Sequence, residues 1–141
     1  MRTIDETISV SAQITPADVT ELARAGFKAI VNNRPDEEEP GQPAGDAIRA
    51  AAQTLGLSYH AIPVTHAGFS MPQVEAMRAA IEGADGPVFA YCRSGTRSTN
   101  LWALAEASRG GDPETLIGKA AQAGYDISGL RPMLDALSGK A

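Results

Sequence analysis

Short apolar runs alternate with longer amphipathic stretches along the chain, which is the pattern of β-strands and α-helices in turn. Residues 8–14 alternate apolar and small polar side chains with period two, as a half-buried strand does. A continuous apolar run at 27–31, with one lysine, is typical of a strand covered on both faces. Further strands are predicted at 57–64 and 88–91.

Helices are predicted between these strands and after the last one. Thr15 and Ser70 are suitable N-cap residues, and Gly26 and Gly56 follow the last apolar position of a helical segment. The predicted helices cover 16–25, 46–55, 71–82, a segment from the residues after Cys92 to Gly110, 112–124 and 128–137. The loop at 36–45 holds four consecutive acids, which we interpret as a solvated surface run rather than a metal site.

This alternation predicts a single α/β domain over residues 1–141, with a mainly parallel sheet of four or five strands and helices on both faces. Ligands of such sheets bind at the carboxyl ends of the strands. Three segments meet at that edge: the turn after 88–91, the residues Asn33 and Arg34, and the loop 65–70.

Charge and cysteine content limit the function. The net charge of −5 disfavours nucleic acid or an anionic membrane as the main partner. No apolar stretch approaches the roughly 20 residues of a membrane span. A single cysteine excludes an intrachain disulfide, and a reducing cytoplasm is the expected location, since a thiol stays available there. The sequence predicts no cofactor and no metal site.

The one cysteine, Cys92, lies where a predicted strand ends and a helix begins. A glycine-bearing turn at this point leaves several backbone N–H groups directed at one spot, near the positive end of the helix dipole. If the anion held there is the thiolate itself, the sulfur is a nucleophile at neutral pH. The alternative is a buried cysteine that packs as a small hydrophobic residue. Gly95 and the arginines Arg93 and Arg97 argue against that alternative.

From about residue 8 to 104 the chain resembles the phosphatase-like domain of the beta-lactamase hydrolase-like protein family, a branch of the dual-specificity cysteine phosphatase fold. The resemblance lies in Ile30-Val31-Asn32-Asn33-Arg34-Pro35-Asp36, His60-Ala61-Ile62-Pro63-Val64 and Tyr91-Cys92-Arg93-Ser94-Gly95-Thr96-Arg97-Ser98. It implies a phosphatase-like fold, with Cys92 as the nucleophile and Arg97 as the arginine that grips the anion.

The cysteine loop departs from the phosphatase pattern in its length. Cysteine phosphatases place five residues between cysteine and arginine, whereas four lie between Cys92 and Arg97. A tighter ring of N–H donors favours a smaller anion, such as a thiolate that carries one extra sulfur. The loop is also similar to the active-site loop of single-domain rhodanese sulfurtransferases, whose cysteine carries a persulfide.

The second departure from the phosphatase pattern concerns the general acid. Phosphatases protonate the leaving oxygen with an aspartate on the loop that corresponds to 65–70, and this loop contains no carboxylate. His66 could replace it, because an imidazole can donate a proton near neutral pH, or it could be an ordinary loop histidine. Asp36 is a further substitute. Asp85 precedes its strand at the amino edge, so we discount it.

Three functions remain open at this point. The preferred one is a cysteine-dependent sulfurtransferase, in which Cys92 takes sulfane sulfur from thiosulfate, a polysulfide or glutathione persulfide. In that reaction Arg97 stabilises charge and Arg93 steers the anionic donor. The alternatives are a phosphatase that forms a cysteinyl-phosphate from a phosphoester, and a non-catalytic module that binds anions or senses oxidants.

The predicted site lies in one cleft at the carboxyl edge, with the sulfur facing the N–H groups of residues 94–97. The predicted catalytic residues are Cys92, Arg97 and His66, and the predicted anion-binding residues are Arg93, Ser94, Gly95, Thr96, Ser98, Asn33 and Arg34.

Overall fold

A five-stranded sheet forms the centre of the protein, in a computed structural model that describes residues 1–139. The strands are β1 (Arg2–Asp5), β2 (Ile8–Ser11), β3 (Ala29–Asn32), β4 (Ser58–Ala61) and β5 (Val88–Tyr91). The helices are α1 (Pro16–Arg24), α2 (Gly45–Thr54), α3 (Met71–Gly83), α4 (Thr96–Ser108), α5 (Pro113–Gln122) and α6 (Arg131–Ser138), with a 3₁₀ turn at Ser128–Leu130 before the last.

The strand order is β1-β2-β5-β3-β4, and the last four strands of this order are mutually parallel. Only β1 runs antiparallel, paired to β2. The predicted fold class, a mainly parallel α/β sheet, is confirmed. Because β5 lies between β2 and β3, the residues that follow it sit at the middle of the carboxyl edge.

Helices cover both faces of the sheet, as predicted. Alternate residues of the central strands point to opposite sides, so that Ile30 and Phe89 pack in one cluster, whereas Val31 and Ala90 pack in another. The first cluster includes residues of α1 and α2, and the second includes residues of α3, α4, α5 and α6. Each face therefore has its own apolar core.

Helix α4 is the most deeply buried helix. Eight of its residues are buried, among them Leu101 and Trp102, and it packs against α3, α5 and α6. A helix with this much buried surface is held in place by its neighbours. Its N-terminus, which begins directly after the cysteine loop, is thereby fixed relative to the sheet.

The structure corrects several predicted boundaries. Strand β1 was not predicted, because only Ile4 of its four residues is buried, so the apolar pattern is weak. The predicted strands 8–14 and 57–64 are shorter, as Ile8–Ser11 and Ser58–Ala61. The predicted helix 128–137 is a 3₁₀ turn followed by α6, whose first turn contains a proline. Residues 140 and 141 of the predicted domain lie outside the described residues.

Within residues 1–139, no helix combines the length and the apolar character that a membrane span requires.

Candidate functional site

Cys92 lies at the carboxyl end of β5, at the base of the loop that leads into α4. Its backbone N–H donates to the Ser11 carbonyl at 3.3 Å, and the residue has no exposed surface. The Gly95 N–H donates to the Cys92 sulfur at 3.1 Å. This contact bears out the predicted orientation of the sulfur toward the N–H groups of the loop, and such a donor favours the anionic form of a sulfur over the neutral form.

Gly95 makes this geometry possible. It is the N-cap residue of α4 with φ of +90°, a left-handed conformation that glycine adopts without steric cost. The turn directs the N-terminus of α4 at the cysteine, so the positive end of the helix dipole adds to the N–H contact. The loop is therefore an anion-stabilising site, as its residue types predict.

Arg97, one residue into α4, is held by two acceptors. Its Nη1 donates to the Glu38 carboxylate at 2.7 Å and to the Val64 carbonyl at 2.8 Å, and its Nη2 donates to the other Glu38 oxygen at 2.9 Å. Glu38 raises the pKa of Arg97, and the Cys92 sulfur adds to this effect. A guanidinium has five N–H donors, and these three bonds use neither the Nε donor nor the second Nη2 donor, so donors remain for the Cys92 sulfur or for another anion.

Glu38 binds two arginines at once. Besides its contacts with Arg97, it accepts from Arg34 Nε at 2.8 Å. The Arg97 guanidinium, with a smaller contribution from Arg34, lowers the pKa of Glu38 to about 2. At neutral pH this carboxylate is ionised, so it can orient arginines but cannot donate a proton to a leaving group.

The acidic run at 36–39 lies in an exposed loop, as the sequence predicts, but two of its carboxylates bind arginines near the cysteine loop. Glu39 accepts from Arg34 at 3.0 Å and pairs with Arg93 at 3.5 Å. Together Glu38 and Glu39 pair with three arginines and reduce the repulsion among them at one edge of the sheet. These ion pairs could have been predicted from the sequence, because the acidic run and the cysteine loop with its two arginines have opposite charges.

A cavity of about 250 Å³ opens above the loop, lined by Glu38, His66, Arg93 and Arg97. His66 is exposed and lines this cavity with Arg97, whereas Cys92, predicted in the same cleft, is buried and is not one of the lining residues. The side chain of Arg93 is 65% exposed, as suits a residue that attracts an anion from solvent. The cavity therefore has two cations, one imidazole and one ionised carboxylate on its walls.

Two of the predicted anion-binding residues have other partners. The Asn33 side chain is buried and donates to the Ile62 carbonyl at 2.9 Å. The Arg34 guanidinium is buried, and its three nitrogens donate to Gln13, Glu38 and Glu39. Both residues follow β3 at the predicted edge of the sheet. Asn33 links the segment after β3 to the segment after β4 through its bond to Ile62, and Arg34 orients the carboxylates of Glu38 and Glu39. That their side chains bind the anion stays a prediction, and the partners they have here argue against it.

Asp36 also lies outside the cavity that Arg97 lines. Its carboxylate accepts from the Gly45 N–H at 2.9 Å, which satisfies a free donor at the start of α2. It is not among the residues that line the cavity with Arg97. His66 is therefore the remaining candidate for a general acid among the residues the sequence singled out.

The other loop residues point in different directions. The Ser94 hydroxyl donates to the Thr96 hydroxyl at 3.0 Å, and both exposed residues line a second cavity with Tyr125, not the cavity that His66 lines. The Ser98 hydroxyl is buried and has no hydrogen-bond partner in residues 1–139. The roles of Ser94, Thr96 and Ser98 as anion ligands stay predictions.

Tyr125 is a site residue that the sequence analysis missed. It follows α5, and its hydroxyl donates to the Ser94 carbonyl at 3.0 Å. It lies 31 residues from its partner in sequence, so no local pattern connects the two.

A search of residues 1–139 finds no group of three or more histidine, cysteine, aspartate or glutamate residues arranged to hold a metal ion.

Comparison with known proteins gives one family. The model of the phosphatase-like domain of beta-lactamase hydrolase-like proteins matches residues 1–109. A beta-lactamase hydrolase-like protein from Xylella fastidiosa is 39% identical over 107 residues, which is 76% of this chain and 25% of that protein. The chain thus spans about a quarter of the length of the curated relative it matches.

Solved structures show the same fold over nearly the whole chain. A protein from Neisseria meningitidis, provisionally described as a phosphatase, superposes with a TM-score of 0.81 at 36% identity and covers 96% of each chain. PTPMT1 in complex with PI(5)P superposes with a TM-score of 0.71 at 15% identity, covering 97% of this chain and 91% of that one. The fold is that of the cysteine phosphatases.

These comparisons favour the phosphatase alternative over the sulfurtransferase that the sequence analysis preferred. The matched family and the structural neighbours are described as phosphatase-like or as phosphatases, and none of these descriptions mentions sulfur transfer.

Proposed function

Because the chain belongs to the family of phosphatase-like domains of beta-lactamase hydrolase-like proteins, we propose that it is a cysteine-dependent phosphatase for small phosphate monoesters. The observation that carries the proposal is the free edge of Arg97 near the Cys92 sulfur. Glu38 and Val64 take three of its donors, and the Nε and Nη2 donors that remain form a fork that matches two oxygens of a phosphoryl group.

The proposed reaction has two displacement steps. The Cys92 thiolate attacks phosphorus, an S–P bond forms, and the P–O bond to the leaving group breaks. Water then attacks the cysteinyl-phosphate, the S–P bond breaks, and inorganic phosphate leaves with the thiolate restored. In both steps Arg97 and the N–H groups of the loop bind the phosphoryl oxygens, where negative charge is concentrated.

His66 is the proposed proton donor for the leaving oxygen. It is on the wall of the cavity that Arg97 shares, whereas the carboxylate on the same wall, Glu38, has a pKa of about 2 and is ionised. An imidazole on an exposed loop is a less constrained acid than a carboxyl group fixed in the site. We therefore expect substrates with good leaving groups, such as aryl phosphates, to react fastest.

Sulfur transfer is the second candidate, and two observations favour it. Four residues separate Cys92 from Arg97, so the ring of donors is small, and the Gly95 N–H already contacts the sulfur at 3.1 Å. Sulfur transfer also needs no acid. The thiolate attacks the sulfane sulfur of thiosulfate, the S–S bond breaks, and sulfite leaves with the bonding pair; an acceptor thiolate then removes the outer sulfur.

One experiment separates the two functions. The purified protein is given an aryl phosphate in one sample and thiosulfate in another, and phosphate release and intact mass are measured, with Cys92→Ser as the control. The phosphatase proposal predicts turnover on the order of 1 per second or faster that the variant lacks. No hydrolysis together with a mass gain of one sulfur, removed by dithiothreitol, would replace it with sulfur transfer.

A further inference from the structure

Tyr125 contacts the cysteine loop from outside the segment that the family model matches. That model covers residues 1–109, whereas Tyr125 follows α5 and packs its ring against the apolar core around α4. Its hydroxyl donates to the Ser94 carbonyl at 3.0 Å. The C-terminal segment thus makes a direct contact with the loop that carries the nucleophile.

The Ser94 carbonyl and the Gly95 N–H belong to the same peptide group. This peptide is trans, so its C=O and N–H point in opposite directions. The carbonyl is held outward by Tyr125, and the N–H on the other side donates to the Cys92 sulfur at 3.1 Å. Rotation of this peptide group would break both bonds together.

The Tyr125 hydroxyl lies very close to the backbone of Gly95. A Cβ atom at this position would collide with the Tyr125 hydroxyl, and the φ of +90° is unfavourable for any other residue. The hydroxyl therefore occupies the space next to the loop that a side chain would need.

The phenol stays a donor over the working pH range. Burial raises the pKa of Tyr125, and the negative charge of the Cys92 sulfur raises it further. The charge effect reflects the short distance between the phenol and the sulfur.

We propose that Tyr125 is a positioning residue, which aims the Gly95 N–H at the Cys92 sulfur by holding the Ser94 carbonyl. This inference rests on the nucleophilic role proposed for Cys92. Tyr125 does not touch the reacting atoms. It acts by keeping one peptide group in the orientation that stabilises the thiolate.

The test is Tyr125→Phe, which keeps the ring in the core and removes only the hydroxyl. The readout is the ultraviolet absorbance of the thiolate against pH, which is specific because the chain has one cysteine. Cys92→Ser supplies the blank. Ser128→Ala is the matched control, since it removes a hydroxyl bonded to Asp126 three residues further along the same segment.

We expect the midpoint of the thiolate titration to rise by about one pH unit in Tyr125→Phe, equivalent to about tenfold less thiolate at pH values below both midpoints. Turnover should fall by a similar factor at low pH and recover at high pH, whereas a structural defect would lower it at all pH values. Ser128→Ala should match the wild type in both measurements.

An unchanged midpoint in Tyr125→Phe, with a thiolate present in the wild type at neutral pH, would overturn the role of Tyr125 alone. A wild-type protein with no thiolate below pH 8 would instead overturn the nucleophilic role of Cys92, whatever the variant shows.

Discussion

Glu38 and Arg97 form a two-pronged ion pair, with Nη1–Oε2 and Nη2–Oε1 distances of 2.7 and 2.9 Å. The residues are 59 positions apart in sequence. Arg34 holds the same carboxylate from the other side, and its own side chain is only 1% exposed. The pair therefore fixes the plane of the Arg97 guanidinium, and with it the direction of the free edge that is available to a substrate.

Glu38→Gln should reduce turnover by about 10- to 100-fold, because an amide offers only one acceptor oxygen to Arg97 and the fork is no longer held in one plane. Steady-state kinetics on an aryl phosphate would measure this. Glu37→Gln is the control, since Glu37 is the exposed neighbour in the same acidic run. Equal losses in the two variants would contradict a specific role for Glu38.

The stability of the protein should fall in acid through Glu38. Its folded pKa of about 2 lies below the value of 4.5 for an unperturbed glutamate, so its contribution is complete above pH 4.5 and is lost as the pH falls toward 2. The pKa difference corresponds to up to about 3 kcal/mol. Urea unfolding at pH 7 and pH 3 should show that Glu38→Gln destabilises the protein much more at pH 7. The same difference at both pH values would exclude this linkage.

Arg97→Lys should lower kcat by about 100-fold or more, although the charge is kept, because a lysine cannot offer two donors in one plane to a phosphoryl group. Arg24→Lys is the matched control, since the Arg24 side chain is 73% exposed on α1 and pairs with Glu21. A rate for Arg97→Lys within twofold of the wild type would place the anion site elsewhere.

The loss of activity in His66→Gln should depend on the leaving group of the substrate. If His66 donates the proton, hydrolysis of an alkyl phosphate should fall by about 10²-fold or more, and hydrolysis of an aryl phosphate should change little, because a phenolate leaves without protonation. The measurement is kcat for one substrate of each kind, with His60→Gln as the control at the other histidine. A uniform loss for both substrates would indicate binding rather than acid catalysis.

A glycine inserted between Gly95 and Thr96 tests the size of the loop. It would place five residues between Cys92 and Arg97, widen the ring of N–H donors and ease the entry of a phosphoryl group. Hydrolysis of an aryl phosphate should rise, and any gain of sulfur from thiosulfate, measured by intact mass, should fall. A loss of hydrolysis in a folded variant would mean that the natural four-residue loop already suits phosphate.

Much of the fold was accessible from the sequence, because it depends on local patterns. Apolar runs such as 88–91 mark buried strands, and residues at helical spacing mark the helices that cover them. The position of Cys92 after β5 followed in the same way, since a strand, a glycine turn and a helix are contiguous in the chain. Strand β1 escaped prediction because an edge strand with one buried residue carries little of this signal.

The partners of the arginines were decided only by the tertiary structure. Arg34 and Arg97 look alike as cations near one sheet edge, yet the Arg34 side chain is 1% exposed among three side-chain acceptors, whereas the Arg97 side chain is 17% exposed and lines the cavity. Tyr125 reaches the loop from a segment beyond α5. The position of Cys92, the proposed nucleophile, and the types of group around it could be predicted from the sequence alone. Which donors stay free depends on contacts between residues far apart in the chain, and these form only when the helices pack on the sheet.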